Sequence, residues 1–185
     1  MSVSRRDRRH LKEIRKNVDA LYRVGVNELA QEWDGIGATR RILDVAPQDD
    51  GGWQRRGLSP LGASIVTLDI VPESGADIIG DICRPDWTKG IEPFDAVFVA
   101  EVLEHVDNPF SAVAVLRSVI RPGGYLFASS PFDFRIHGPL PDNWRFTEHG
   151  WRALLKEFVD VVVTPVTSRR PLMPIAYRVT ARRPI

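Results

Sequence analysis

Residues 94–106 read Phe-Asp-Ala-Val-Phe-Val-Ala-Glu-Val-Leu-Glu-His-Val, a nearly continuous apolar run closed by Glu101 and followed by a second acid and a histidine. An apolar segment of this length that hardly alternates suits a strand buried on both faces of a parallel sheet. Glu101 then stands where such a strand meets solvent.

Outward from this stretch the pattern repeats. Short runs rich in β-branched residues occur at 42–46, 64–70, 76–82 and 124–130. The clearest helix between them spans 108–120. Asp107 or Asn108 can cap it, Pro109 suits its first turn, and Arg121-Pro122-Gly123-Gly124 is expected to stop it. A second helix is expected at 147–158, with Thr147 as its cap, and two strand-like runs at 159–166 and 175–181 form a final antiparallel pair. Only a few residues separate 64–70 from 76–82, too few for a crossover helix, so the second of these runs must be short or irregularly joined at the sheet edge. Strands alternating with helices predict a doubly wound, mostly parallel α/β sheet of about seven strands, the last antiparallel, with helices on both faces.

The N-terminus differs. Leu11, Ile14, Val18, Leu21, Tyr22 and Leu29 recur at helical spacing, so residues 6–32 read as one or two amphipathic helices. Seven of the first sixteen residues are basic and two acidic, although the whole chain is only +1. The division expected is an N-terminal helical extension over 1–36, ending in turn chemistry at 34–37, and a sheet domain over 37–185.

Composition excludes several classes. A 43% hydrophobic, 26% charged chain is that of a globule, and near-neutral charge gives no broad field for nucleic acid or lipid. Cys83 is the only cysteine, so no intrachain disulfide can form. No apolar run nears the ~18 residues of a membrane span, and no secretory leader is visible. A cytoplasmic protein is expected. The four histidines show no helical pairing and Cys83 stands alone, so no metal site is expected, and there is neither a phosphate-binding loop nor a Gly-x-Ser-x-Gly elbow.

Four expected strands carry an acid near their C-terminal ends: Asp44, Asp69, Asp81 and Glu101. Ligands of open α/β sheets bind beyond those ends. Carboxylates there accept bonds from ribose hydroxyls and amino groups but repel phosphates. The row therefore suits a phosphate-free, cationic nucleoside.

The ordered set resembles the class I S-adenosylmethionine-dependent methyltransferases over roughly residues 40–165. It comprises Ile42-Leu43-Asp44-Val45, Leu68-Asp69-Ile70, Gly80-Asp81-Ile82, Phe94-Asp95-Ala96-Val97, Glu101-Val102-Leu103-Glu104-His105-Val106, and Arg-Pro-Gly-Gly before a strand. The resemblance implies S-adenosylmethionine as cofactor, with S-adenosylhomocysteine as product. It places Asp44 beneath the methionine moiety, Asp69 on the ribose, Asp81 and Ile82 at the adenine, and Glu101 beside the sulfonium. Ala46, Pro47 and Ile70 complete the cofactor set. The first loop departs from the family's Gly-rich turn, because Ala46 and Gln48 stand at the glycine positions.

The acceptor side falls on the aromatic-rich loop 131–150, whose Phe132, Phe134, His137, Trp144, Arg145, Phe146 and His149 can wall a pocket. Asp142-Asn143-Trp144-Arg145-Phe146 resembles a stretch of small bacterial methyltransferases of the type 11 kind. Phe132, Trp144 and Arg145 are the expected substrate contacts, Trp144 and Arg145 being alternatively a stacked pair closing the loop. His137 is the first candidate for a base and His105 the second. The reading is methyl transfer to a hydroxyl or amine of a small molecule, a sugar or secondary metabolite. Behind it stand a scaffold that keeps the fold without catalysis, and a nucleic-acid methyltransferase using the basic N-terminal helix. The modest apolar stripe of that helix argues against a membrane partner, and a homodimer is one option for assembly.

Overall fold

The computed structural model describes residues 5–33, 40–47, 58, 61–168, 170 and 172–185. The turn expected at 34–37 and residues 48–52 of the first loop lie outside them.

Seven strands form one sheet. They are β1 (Arg41–Val45), β2 (Ser64–Asp69), β3 (Ile78–Ile79), β4 (Phe94–Ala100), β5 (Ile120–Pro131), β6 (Val159–Val166) and β7 (Ala176–Arg182). Their order is β3-β2-β1-β4-β5-β7-β6, with β7 antiparallel to both neighbours and the other described pairings parallel. The mostly parallel α/β architecture with a terminal antiparallel strand is thus as the sequence predicts.

The N-terminal segment is one helix, α1 (Arg5–Glu32), and not two. Its Val18, Leu21, Tyr22 and Leu29 pack on Ile42, Ala96, Phe98 and Phe127 across one face of the sheet. Gly25 sits at the closest approach, where an added Cβ would lie 2.5 Å from the Phe98 ring. The other face is covered by α2 (Pro109–Val119) and α3 (Glu148–Leu154), whose Ala112, Val113, Leu116, Trp151 and Leu154 share a core with Leu43, Val97, Val99 and Leu126. Both caps are side-chain oxygens: Asn108 accepts from Ser111 N–H at 3.1 Å and Thr147 from Gly150 N–H at 3.0 Å.

Two boundaries differ from expectation. α2 does not stop in a free turn. Residues 121–124 are already part of β5, which pairs from Ile120 with Phe94 and shifts register before Ala96. Gly124 permits this, since a Cβ there would fall 2.8 Å from the Asp95 carbonyl. The helix expected over 147–158 ends at Leu154. No described helix is long and apolar enough to cross a membrane.

Candidate active site

β2 leads away from β1 on one side of the sheet and β4 on the other, so β1 and β4 flank the point where strand order reverses. At such a switch point the connecting loops part and leave a crevice beyond the strand ends. The chain bends sharply on both sides of it. Ala46, just after β1, has φ +50°, and Glu101, just after β4, has φ +56°. Non-glycine residues hold the left-handed region only where their surroundings fix them, and such strain gathers at functional sites. Here Ala46 N–H bonds the Leu68 carbonyl at 2.7 Å and Glu101 N–H bonds that of Ser129 at 3.0 Å.

The four edge acids have unlike environments. Asp44 is fully buried and accepts the Tyr22 hydroxyl at 2.6 Å. Asp69 is half-buried and uses Oδ1 to hold Val71 N–H at 2.9 Å, beside an exposed Ile70. Asp81 accepts from Cys83 N–H at 2.8 Å and lies 3.5 Å from Arg84 Nε. Ile82 belongs to the core, so only its backbone is left for a ligand. Glu101 accepts the Ser129 hydroxyl at 2.7 Å, and burial pushes its carboxyl up to about 7.

Beyond β4 lies a second group that sequence spacing does not reveal. Glu104 is completely buried, and neither of its carboxylate oxygens receives a hydrogen bond. Burial first, and then the charge of Glu101, push its carboxyl well above the ordinary carboxylate range. The Nε2 atoms of His105 and His137 stand 3.7 and 3.9 Å from Glu104 Oε1. His137 is fastened behind. Its backbone N–H and its Nδ1 both meet Asp142 Oδ2 at 2.9 Å. Arg145 grips both oxygens of Asp142 and, as the largest influence, holds that carboxyl far below its usual range. Burial lowers the His137 pKa, so the ring is neutral at pH 7.

The aromatic residues of the loop divide. Trp144 donates Nε1–H to the Val106 carbonyl at 2.8 Å and stacks on Phe146, while Arg145 turns to Asp142, so the closing pair is Trp144 with Phe146. Phe146 is itself buried against Trp151 and does not wall a pocket. His149 sits exposed on α3. Phe132 packs edge-on to Tyr177, and Phe134 edge-on to His137. From the other side α1 reaches the same loop: Arg6 pairs with Asp133 at 2.8 Å, and His10 Nδ1 lies 2.8 Å from the Asp133 carbonyl.

His137 and His105 therefore come together with Glu101 and Glu104 at the end of β4. Asp44, Ala46 and Pro47 lie across the switch point, and Asp69 and Asp81 follow along the sheet edge. Glu104 and Asp142 are the residues that sequence reasoning passed over. Glu104 stood in the Glu-Val-Leu-Glu-His run without a role, and only the folding back of residues 137–145 gives it one.

Comparison with known proteins agrees with this geometry. The profile of the family described as "Methyltransferase domain" matches residues 14–159. A ubiquinone biosynthesis O-methyltransferase of Xanthomonas euvesicatoria pv. vesicatoria is 29% identical over 128 residues, covering 62% of this chain and 52% of that protein. The chain thus spans about half the length of such curated relatives. In fold it is similar to the N-methyltransferase NodS of Bradyrhizobium japonicum, with TM-score 0.62, 18% identity, and 88% and 94% of the two chains covered. The complex of NodS with S-adenosyl-L-homocysteine superposes with TM-score 0.58 at the same identity, over 88% and 86% of the chains. With a family match over most of its length and the sheet order, switch point and edge acids described above, the chain belongs to the methyltransferase domain family, within the class I S-adenosylmethionine-dependent methyltransferases.

Proposed function

We propose that the chain binds S-adenosylmethionine in the β1/β4 crevice and transfers its methyl group to a hydroxyl or amine of a small molecule, of the sugar or secondary-metabolite kind. The observation that carries this is the pairing of two sites: a row of edge acids along β1, β2 and β3, and a buried histidine–carboxylate cluster directly after β4.

The residues present fit the cofactor. Asp69, half-exposed at the end of β2, would accept ribose hydroxyls. Asp81 and the backbone of Ile82 would meet the adenine. Asp44, fixed by Tyr22, would shape the first turn from below, with Ala46 and Pro47 above it. Backbone at Glu101 would border the methyl donor. When bound, the cofactor supplies an electrophilic methyl group on a positively charged sulfur.

The chain's own residues then have two tasks. The first is alignment, which for an in-line displacement supplies roughly 7–11 kcal/mol; Phe132, Trp144 and Arg145 would contribute to it. The second is removal of the acceptor's proton, worth about 10²–10⁴ in rate. His137 is suited to it, being neutral and fixed through Nδ1 by Asp142. His105 stands beside it, ring centroids 4.9 Å apart. A hydroxyl or amine acceptor is in keeping with the similar proteins, an O-methyltransferase and an N-methyltransferase.

The test is binding followed by turnover. Calorimetry with S-adenosylmethionine, S-adenosylhomocysteine and NAD should show binding of the first two only. A ligand at 100 times its dissociation constant should stabilise the fold by about 2.7 kcal/mol. Transfer of a radiolabelled methyl group to a panel of sugars, phenols and amines should then identify the acceptor. A chain indifferent to both sulfur nucleosides sinks the proposal.

A further inference from the structure

The tautomers of His105 and His137 follow from what their Nδ1 atoms face. His105 Nδ1 lies 2.9 Å from the Pro141 carbonyl, which can only accept, so Nδ1 carries the hydrogen. His137 Nδ1 faces a carboxylate oxygen of Asp142 that Arg145 also holds, so it too carries its hydrogen on Nδ1. Both Nε2 atoms then stand toward the same Glu104 oxygen. Glu104 is wholly buried with no hydrogen-bond donor on either oxygen. These three side chains each offer one ligand atom, and the atoms converge within 4.8 Å of one another. Buried lone pairs so arranged are costly unless a cation joins them.

We infer that Glu104, His105 and His137 form a binding site for a single divalent transition-metal ion of the zinc or manganese class. Two imidazole nitrogens and one carboxylate on one face are the donor set such ions take, leaving other positions for water or a substrate. Magnesium prefers all-oxygen surroundings and fits less well. Donors sharing an ion at bonds of about 2.1 Å stand roughly 3.0–3.4 Å apart, so the 3.7 and 3.9 Å separations close by small side-chain shifts. The outer contacts are those of a prepared site: a carbonyl behind one histidine and a carboxylate behind the other fix ring orientation and strengthen each donor. Binding of the ion stands on this geometry alone. Its role rests on the methyl-transfer reading: an open position would take the acceptor's oxygen or nitrogen and hold it beside the β1/β4 crevice. His137 is then a ligand in the loaded protein, and it serves as proton acceptor only without the ion.

The experiment uses the full chain, stripped with a chelator and dialysed. Titration with Mn²⁺ followed by electron paramagnetic resonance, and with Zn²⁺ by calorimetry, should give one ion per chain. Pulsed spectra of the Mn²⁺ protein should show coupling to two imidazole nitrogens, a readout from the wild type that needs no variant. Glu104→Gln, nearly the same shape, should weaken binding at least about 100-fold while the metal-free melting temperature stays at or above that of the wild type. Asp142→Asn should weaken it by roughly 10–100-fold. Failure to bind either ion, or an ion without nitrogen coupling, overturns the site and leaves the cluster closed by a proton. S-adenosylhomocysteine binding to the metal-free protein is measured in parallel. An ion bound to a chain indifferent to that nucleoside keeps the site and sinks the methyl-transfer reading; nucleoside binding without an ion does the reverse.

Discussion

Tyr22 donates its hydroxyl to Asp44 across 2.6 Å, and both side chains are buried. The helix at the start of the chain thereby fixes the acid of the first strand, and the Tyr22 ring stacks on Phe98 of β4 at 4.7 Å. α1 is a structural wall of the crevice. Tyr22→Phe keeps the stacking and removes one donor to a buried carboxylate, which should cost about 1.5–3 kcal/mol. Urea denaturation measures this, and an unchanged midpoint would show that the bond contributes little.

The residue after β1 is the next test. Ala46 sits at φ +50°, a conformation that costs a residue with a Cβ about 1–2 kcal/mol and glycine almost nothing. Ala46→Gly relieves this but enlarges the unfolded ensemble by roughly 0.4–1 kcal/mol, so a small net gain in stability is expected. Ala46→Val, stiff and β-branched, should lower the melting temperature. Equal melting temperatures for the two variants would contradict a strained turn.

These local conformations also mark where the sequence was legible. The runs that became β1, β2, β4 and β5 announced themselves because a strand covered on both faces must be apolar throughout, and the edge acids followed from their positions. β3 did not form over 76–82 because side chains compete for its backbone. Asp77 binds Thr67 N–H at 2.8 Å and its hydroxyl at 2.7 Å, and Asp81 turns to Cys83, so only Ile78–Ile79 pairs with β2. The Glu104, His105 and His137 cluster was invisible because His137 stands a strand and a loop away in the chain from the adjacent Glu104 and His105. Asn143 and Trp144 N–H both bond the Glu104 carbonyl, at 2.7 and 3.0 Å, and that return of the loop brings the donors together.

Asp69 separates cofactor recognition from folding. Its carboxylate holds Val71 N–H in an exposed turn and is otherwise on the rim of the crevice. Asp69→Ala should leave the unfolding free energy within about 1 kcal/mol of the wild type. Affinity for S-adenosylhomocysteine should fall at least tenfold, which is about 1.4 kcal/mol. Unaltered affinity in calorimetry would remove Asp69 from the ribose site.

At its other end α1 is tied to β5. Tyr125 donates its phenol to Glu32 at 2.6 Å, and burial, followed by that bond, pushes its pKa up to about 12. An unfolded tyrosine titrates near 10. Because the folded pKa is the higher, this contribution is complete below about pH 10 and is lost as pH rises toward 12. Ultraviolet titration should show Tyr125 ionising late alongside the buried Tyr22, and Tyr125→Phe should lose one late-ionising tyrosine and fall less in stability over that interval.

Asp142 carries the sharpest prediction about the loop itself. Its side chain is fully buried, and it receives the His137 backbone N–H, the His137 ring and both arms of Arg145, so one carboxylate closes residues 137–145 on themselves. In Asp142→Asn the amide offers a single acceptor oxygen and presents hydrogens to groups that also carry them. Breaking a buried pair costs about 3–5 kcal/mol, and the partial exposure of Arg145 reduces this to roughly 2–3 kcal/mol. The loss should be local. Amide exchange across 133–146 should quicken while β4 and β5 keep their protection, because the core beneath them does not depend on this carboxylate. Turnover should fall far more than cofactor affinity, since Asp142 positions His137 without touching the β1/β2 edge. Uniformly faster exchange, or an equal loss of cofactor binding, would show instead that the loop and the sheet open as one unit.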